Sequence, residues 1–355
     1  MDAFNEMQTW GHEQVVFSHE PSCGYFGIIA IHDTTLGPAL GGTRVWPYAS
    51  TEEALRDVLR LSRGMTYKSA VAGLNLGGGK AVIIADPKRA DRESLFRAHG
   101  RFVESLGGRY ITAEDVGTSP TDMEFVKRET KHVAGLLNLS GDPSPVTGYG
   151  VYMGMKAAAK AKWGKDSLAG KTVAVQGAGK VAYYLMKHLR DEGASMLVSD
   201  IDQDKVKRVV DELGAQAVTA DAIYDAKADI FAPCALGAII NDDTLKRLKV
   251  QIIAGGANNQ LAETRHGVEL EAQGIMYAPD YVINGGGVIN VYGELQSWTM
   301  DRAKRKAQEI YDTILRVFAI AQRDKIPSFE AADRLAEERL HSVAALKRMW
   351  VAGDR

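Results

Sequence analysis

The feature that most restricts this chain is an apolar stretch, Thr172–Gln176, running directly into Gly177-Ala178-Gly179-Lys180-Val181-Ala182 and then into helical spacing. A strand that enters a helix through G-x-G-x-x-A belongs to a parallel sheet, because its helix crosses back over the sheet. The first glycine permits the tight turn, the second lets backbone amides approach a diphosphate, and Ala182 keeps helix and strand close. The amino end of the helix then favours the anion. Asp200 follows the next predicted strand, Ser195–Ser199, where a carboxylate accepts hydrogen bonds from ribose hydroxyls. Strand, turn, helix, strand and acid in that order predict a dinucleotide site. Asp200 further predicts NAD, since its charge would repel the 2′-phosphate of NADP. Lys205, Lys207 and Arg208 follow, but their spacing puts them on a solvated helix face.

At 355 residues the chain exceeds one ordinary core. We expect an α/β protein of two domains. Residues 1–138 would form an α/β substrate-binding and catalytic domain, and 139–325 a doubly wound Rossmann domain that binds NAD. Residues 326–355 would be a helical segment packing back toward the first domain. The first half reads as a hairpin (14–18 and 27–32) and a helix opened by a capping box at Ser50 and Glu53, with Ala54, Val58, Leu61 and Met65 inward. A strand at 81–85, a helix capped by Asp91 and a strand at 109–112 follow. Residues 139–149, rich in Gly, Pro and Ser, are the expected hinge. Beyond them, strands at 229–232, 251–254 and 275–278 alternate with helices. A long amphipathic segment at 301–323 and another after Pro327 close the chain.

The composition, 45% hydrophobic and 25% charged with a net charge of −2, gives no electrostatic reason to expect nucleic acid or an anionic membrane as partner. Apolar runs are of strand length, and the acidic start of the chain does not read as a signal peptide. Two cysteines, Cys23 and Cys234, suit neither a disulfide framework nor a zinc site of usual spacing, so a reducing cytoplasm and no metal are expected. Cys234, beside Pro233 in an apolar run, reads as a packing residue.

A second glycine cluster, Gly77-Gly78-Gly79-Lys80, precedes the strand at 81–85. It is not a phosphate loop: Leu74 stands where that motif begins with glycine, and Ala81 replaces its Ser or Thr. Three glycines would let backbone pack tightly around a substrate and hold the Lys80 amine partly desolvated. Burial, with the charge of Lys68 nearby, would lower the Lys80 pKa toward that of a general base. From spacing alone, a glycine turn carrying a solvent-exposed lysine is an equally good reading.

Seven segments together resemble the glutamate/leucine/phenylalanine/valine dehydrogenase family: GPALGGTR (37–44), GMTYK (64–68), LNLGGGK (74–80), ITAEDVGT (111–118), DIFAPCALG (229–237), ANNQ (257–260) and YAPDYVIN (277–284). The likeness runs to about residue 340 and is strongest to the leucine-specific branch. It implies reversible, NAD-dependent oxidative deamination of an L-amino acid. Lys68 would hold the substrate α-carboxylate, Lys80 would be the base that activates water for attack on the imino acid, and Asp115 would shuttle protons at the nitrogen. Leu40, Gly41, Gly42, Met65, Ala113, Val288 and Val291 would contact the substrate. The turn from Gly177 to Ala182, with Asp200, Thr147, Asn258 and above all Asn259, would hold NAD. The likeness also implies a homo-oligomer, dimer or octamer.

In glutamate-specific members a lysine at the position of Leu40 binds the side-chain carboxylate. Leucine there would leave that charge buried and unpaired, so glutamate is not the expected substrate. Ala113 resembles the leucine-specific members, whereas aromatic-specific relatives carry glycine. Leucine is therefore expected first, although one methylene is worth only ~1–3 kcal/mol in such a pocket, which leaves isoleucine and valine beside it. The rivals are a phenylalanine or tryptophan dehydrogenase on the same scaffold and a non-catalytic NAD-binding sensor. Lys180, Gly256 and Gly285 depart from the family pattern, the last two by adding backbone freedom near the nicotinamide.

Overall fold

A computed structural model describes residues 3–136 and 141–346, and the chain falls into two compact units. The first takes the described residues up to Gly141, Glu294–Ser297, and those from Ala336 onward; the second takes Asp142–Gly293 and Trp298–Leu335. The expected boundary at 138 and 139 lies outside the described residues.

The first unit runs α1 (Ala3–Trp10), β1 (Gln14–Glu20), β2 (Tyr25–Asp33), β3 (Ala39–Trp46), α2 (Thr51–Val71), β4 (Gly77–Ile84), α3 (Arg92–Glu104), β5 (Tyr110–Glu114) and α4 (Pro120–Lys127). Among the described residues its sheet has the order β1-β2-β4-β3-β5. β1 and β2 form the expected antiparallel hairpin, β2 is also antiparallel to β4, and β3 runs parallel to β4 and β5. α2 covers one face, with Ala54, Leu55, Val58 and Leu59 against Ile28, Ala30 and Val82. On the other face Leu95 and Phe96 of α3 cluster with Val45 and Ile83. Each large apolar side chain so withdrawn from water contributes ~1.5–3 kcal/mol. Residues from Ala336 onward complete this unit. The Tyr67 hydroxyl donates to Glu337 (2.8 Å), and Arg339 donates to the carbonyls of Ala70 (3.1 Å) and Leu74 (2.7 Å), satisfying the open end of α2.

Local expectations fail where packing overrides pattern. Ser50 caps α2 by accepting from the Glu53 amide, but the Glu53 carboxylate turns to the amide of Ala49, outside the expected box. After Leu59 the buried stripe passes through Ser62 and Thr66, while Leu61 and Met65 are only half-buried. The cause is Gly78: a Cβ there would lie 2.1 Å from the Thr66 amide nitrogen, so sheet and helix are too close for large side chains. Glycines 77–79 are thus part of β4 rather than a turn before it. Asp91 makes no side-chain cap on α3 and pairs instead with Arg89.

The second unit opens with α5 (Ser144–Trp163), β6 (Thr172–Gln176), α6 (Lys180–Glu192), β7 (Ser195–Ser199), α7 (Gln203–Leu213), β8 (Gln216–Ala217) and β9 (Ile230–Pro233). There follow α8 (Thr244–Arg247), β10 (Ile252–Ile253), α9 (Thr264–Ala272), β11 (Met276–Tyr277), α10 (Asp280–Ile283) and α11 (Gly286–Leu295). The chain ends in α12 (Met300–Gln308), α13 (Ile310–Asp324) and α14 (Ser328–Leu346). Its parallel sheet has the order β11-β10-β9-β6-β7-β8, a doubly wound arrangement whose direction reverses beside β6. Such a switch point leaves a crevice at the carboxyl ends of the strands, where the glycine turn sits. Of the expected hinge, residues 139 and 140 lie outside the described residues, and 144–149 form the first turns of α5. Pro145 belongs there, since a first-turn residue needs no amide bond. The single long segment expected at 301–323 breaks at Glu309 into α12 and α13.

Candidate active site

In the second unit Gly177 adopts φ 101°, and a Cβ there would lie 2.8 Å from that of Ala235, so only glycine serves. Around Gly179 a Cβ would meet nothing within 4 Å, leaving open space in front of the first turn of α6. Ala182 is fully buried, as a close helix–strand approach requires. One oxygen of Asp200 accepts from the Ala178 amide (2.7 Å) and the other from Asp202 (2.9 Å), which fixes the carboxylate and leaves lone pairs for ribose hydroxyls. These residues fit a dinucleotide. Lys180 pairs with Asp142 at 3.1 Å on an exposed surface, and Thr147 donates to the carbonyl of Pro143 within α5.

Asn258 and Asn259 are both exposed, Asn259 with φ 50°. Two residues not foreseen hold their loop. Asn284 donates to Asn258 (2.8 Å), and buried Gln260 donates to the carbonyls of Gly255 (2.8 Å) and Ala257 (2.9 Å). Both stood inside recognised segments, and a polar amide within an apolar run was the available signal. Gly256 does not supply the freedom expected of it: its φ is ordinary, and a Cβ would press to 3.0 Å on Val181. Its amide donates to Cys234, whose thiol burial pushes up to about 11, in keeping with a packing role.

In the first unit, strand alternation puts Leu40, Gly42 and Arg44 of β3, Gly78, Lys80 and Val82 of β4, and Ala113 of β5 on the face that α2 covers. Lys80 is buried, which removes the solvent-exposed reading, and its Nζ lies 3.0 Å from Oδ2 of Asp115. The same oxygen accepts from Nε of Arg44 at 3.1 Å. Nη1 of Arg44 donates to Asp57 (2.8 Å), which also accepts from the Tyr48 hydroxyl (2.7 Å) and from Arg60 (3.0 Å). Burial lowers the Lys80 pKa; Asp115 opposes that shift and Arg44 adds to it. Burial pushes Asp115 up, but Lys80 and Arg44 together hold it below its ordinary value. Arg44, on the adjacent strand, is thus a cation that lowers the Lys80 pKa and that the sequence reading had not named. Lys68 lies half-buried in the last turn of α2.

Leu40 and Ala113 are buried and Met65 half-buried. Gly41 falls on the opposite sheet face from Lys80, its carbonyl accepting from the Tyr110 hydroxyl at 2.5 Å. Val288 is buried and Val291 half-buried in α11, within the second unit. On the α3 side of the first sheet a buried string links Tyr25 and His99 (2.9 Å), His99 and Thr43 (2.7 Å), and Thr43 and Thr112 (2.6 Å). It ties β3 to β5 behind the Lys80 face, and burial pushes the His99 pKa down to about 3.

Comparison with known proteins agrees with this geometry. Residues 12–132 match the family described as "Glu/Leu/Phe/Val dehydrogenase, dimerisation domain", and residues 140–202 and 196–347 match "Glutamate/Leucine/Phenylalanine/Valine dehydrogenase". The chain is 59% identical to leucine dehydrogenase of Geobacillus stearothermophilus, over 97% of this chain and 94% of that protein. It is 48% identical to L-tryptophan dehydrogenase of Nostoc punctiforme, over 98% and 99% of the two chains. A crystal structure of L-tryptophan dehydrogenase from Nostoc punctiforme superposes with a TM-score of 0.88 at 47% identity, covering 96% of this chain and 99% of that one. With both units matched and the identity sustained along the whole length, the chain is an oxidoreductase that belongs to the glutamate/leucine/phenylalanine/valine dehydrogenase family.

Proposed function

We propose that the chain catalyses reversible, NAD-dependent oxidative deamination of a branched-chain aliphatic L-amino acid, leucine first, to its 2-oxo acid and ammonia. The observation that carries this reading is the pairing of Asp115 with buried Lys80, which lies on the same sheet face as Leu40, Gly42 and Ala113. An aliphatic Leu40 gives a glutamate carboxylate no partner. The higher identity to leucine dehydrogenase than to L-tryptophan dehydrogenase supports the branched-chain choice.

NAD, held at the glycine turn, supplies the hydride acceptor. Lys68 anchors the substrate α-carboxylate by a charge-assisted hydrogen bond. When the substrate has become an imino acid, the neutral Lys80 amine takes a proton from the water that attacks the imino carbon. Asp115, within hydrogen-bond distance of Lys80, passes the proton that Lys80 has taken on to the nitrogen of the carbinolamine; the amine so freed then takes the hydroxyl proton as the C–N bond breaks, C=O forms and ammonia leaves. Leu40, Gly42, Met65 and Ala113 bound the side-chain site in the first unit, and Val288 and Val291 of α11 are the proposed substrate contacts of the second. Gly41 acts through its backbone. The turn from Gly177 to Ala182, Asp200, Thr147, Asn258 and Asn259 hold the cofactor, with Asp200 favouring NAD over NADP. A homo-oligomer, dimer or octamer, in a reducing cytoplasm goes with this reading, and Cys23 and Cys234 are free thiols.

The test is NADH formation across a panel of L-amino acids. Leucine, isoleucine and valine should be turned over, phenylalanine more slowly and glutamate not at all, with NADP a poor substitute. Faster turnover of phenylalanine, or a preference for NADP, would overturn the reading.

A further inference from the structure

The Lys80–Asp115 pair poses an electrostatic problem. A lysine that works as a base must give up its proton, yet doing so beside one half-buried carboxylate would leave that anion without a counter-ion, at a cost. The cost would hold the proton on Lys80. The first unit contains the group that resolves this: Oδ2 of Asp115 accepts from Nζ of Lys80 and from Nε of Arg44 at nearly equal distance, 3.0 and 3.1 Å. A guanidinium does not deprotonate in proteins, so its charge stays when that of Lys80 goes.

We propose that Arg44 is a positioning residue for the proposed base: it is the permanent counter-ion of Asp115 that lets Lys80 stand as a neutral amine, and Asp57 and Tyr48 fix the direction of its fork. The inference rests on the assignment of Lys80 and Asp115 above and adds the regulation of their charge.

The surroundings support it. β3 places Arg44 on the Lys80 side of the sheet, and its Nη1 reaches Asp57 on α2 at 2.8 Å. Asp57 is itself held by the Tyr48 hydroxyl and by Arg60. The guanidinium thus spans two carboxylates, a geometry that a lysine's point charge cannot copy. Other groups also surround Lys80. β2 presents Ala30 opposite Lys80, and further along His32, which is engaged with Thr66. α2 contributes the carboxylate of Asp57 with Arg60 behind it, and Lys68 belongs to its last turn. The outer side of Arg44 also helps line a groove of about 700 Å³ with Trp46, Tyr48, Asp57 and Val116, which gives small solutes a way in.

The test compares pH profiles of kcat/KM and kcat in the full-length enzyme. In Arg44→Gln the acid limb should move to higher pH by about one unit, because Lys80 loses a repelling charge and keeps Asp115 to itself. Turnover at neutral pH should fall about tenfold, the fraction of neutral amine that such a shift removes. KM for the amino acid should change little. Arg44→Lys keeps the charge, so its limb stays in place while kcat falls. Guanidinium ion, added to Arg44→Ala far below denaturing concentrations, should restore both limb and rate. An unmoved limb with kcat within about twofold of wild type in Arg44→Gln overturns the inference. If Arg44→Gln fails to fold, Arg44→Lys decides alone: a wild-type kcat overturns it, and a lower kcat with an unmoved limb supports it. Lys80→Ala separates the two levels. Full turnover in that variant takes down the site assignment itself, whereas loss of turnover there with an unmoved limb in Arg44→Gln takes down only Arg44.

Discussion

The two units build their sites from different materials. The first withdraws side-chain charge from water: buried Lys80 and half-buried Asp115, Arg44 and Asp57 form a chain of ion pairs, and His12, His32 and His99 lie buried in the same unit. The second places its proposed cofactor cradle largely on backbone: the glycine turn, the first turn of α6 and one carboxylate pinned by two amides. Buried ionisable groups must be kept in defined protonation states, so the first unit is sensitive to pH and to single charge changes. Backbone amides do not titrate, so the glycine turn is sensitive mainly to shape.

The largest expected effect tests that division directly. Lys80→Ala should lower turnover by about a thousandfold, the upper part of the range for a general base, and leave NAD affinity unchanged by fluorescence titration. A comparable loss of NAD affinity would break the separation. Next come the glycines. Gly78→Ala should destabilise by about 3 kcal/mol, because its Cβ meets backbone of α2, whereas Gly179→Ala should melt near wild type and show its defect in NAD binding. Denaturant unfolding of both variants checks this, and equal losses of stability would remove the contrast.

Acid should also tell the units apart. Burial lowers the pKa of His12 to about 4 and of His99 to about 3. The folded state holds both neutral, so neither weakens the fold above the ordinary value of 6.5. As pH falls below that value, the unfolded chain binds protons that the folded one refuses. Each imidazole then removes ~1.4 kcal/mol per pH unit until its folded pKa is reached. Hydrogen exchange should therefore show α2 and α3 opening on acidification before β6 and β9, and the reverse order would contradict the comparison. The smallest effect is expected at Lys180. Its pair with Asp142 is exposed, so Lys180→Asn should alter thermal stability by no more than ~0.5 kcal/mol.

What the sequence disclosed follows from the same division. The glycine turn between β6 and α6 was legible because strand, glycines, helix and acid are contiguous, and each glycine answers to a local backbone need. Arg44 was not, although it stood inside a recognised segment. Its partners Asp57 and Asp115 lie 13 and 71 positions away and meet it only through strand order and the packing of α2. Ser62 and Thr66 were missed for a related reason, since the small residues of α2 answer to Gly78 on another element. The break between the two units, at Gly141 and Asp142, falls inside the expected hinge, but its far end is helical, because proline and glycine mark the start of a helix as readily as a loop and at Ser144 and Pro145 they open α5.

The closure of α2 by Glu337 and Arg339 has a bearing on how the molecule is made. Tyr67 and its partner Glu337 are separated by 270 positions, so at about 5–20 residues per second the helix waits on the order of tens of seconds at the ribosome for its final contacts. The whole of the second sheet emerges in that interval. A nascent chain therefore has the second sheet in hand well before the helix that carries Lys68 is secured, and the first unit is closed only when α14 arrives.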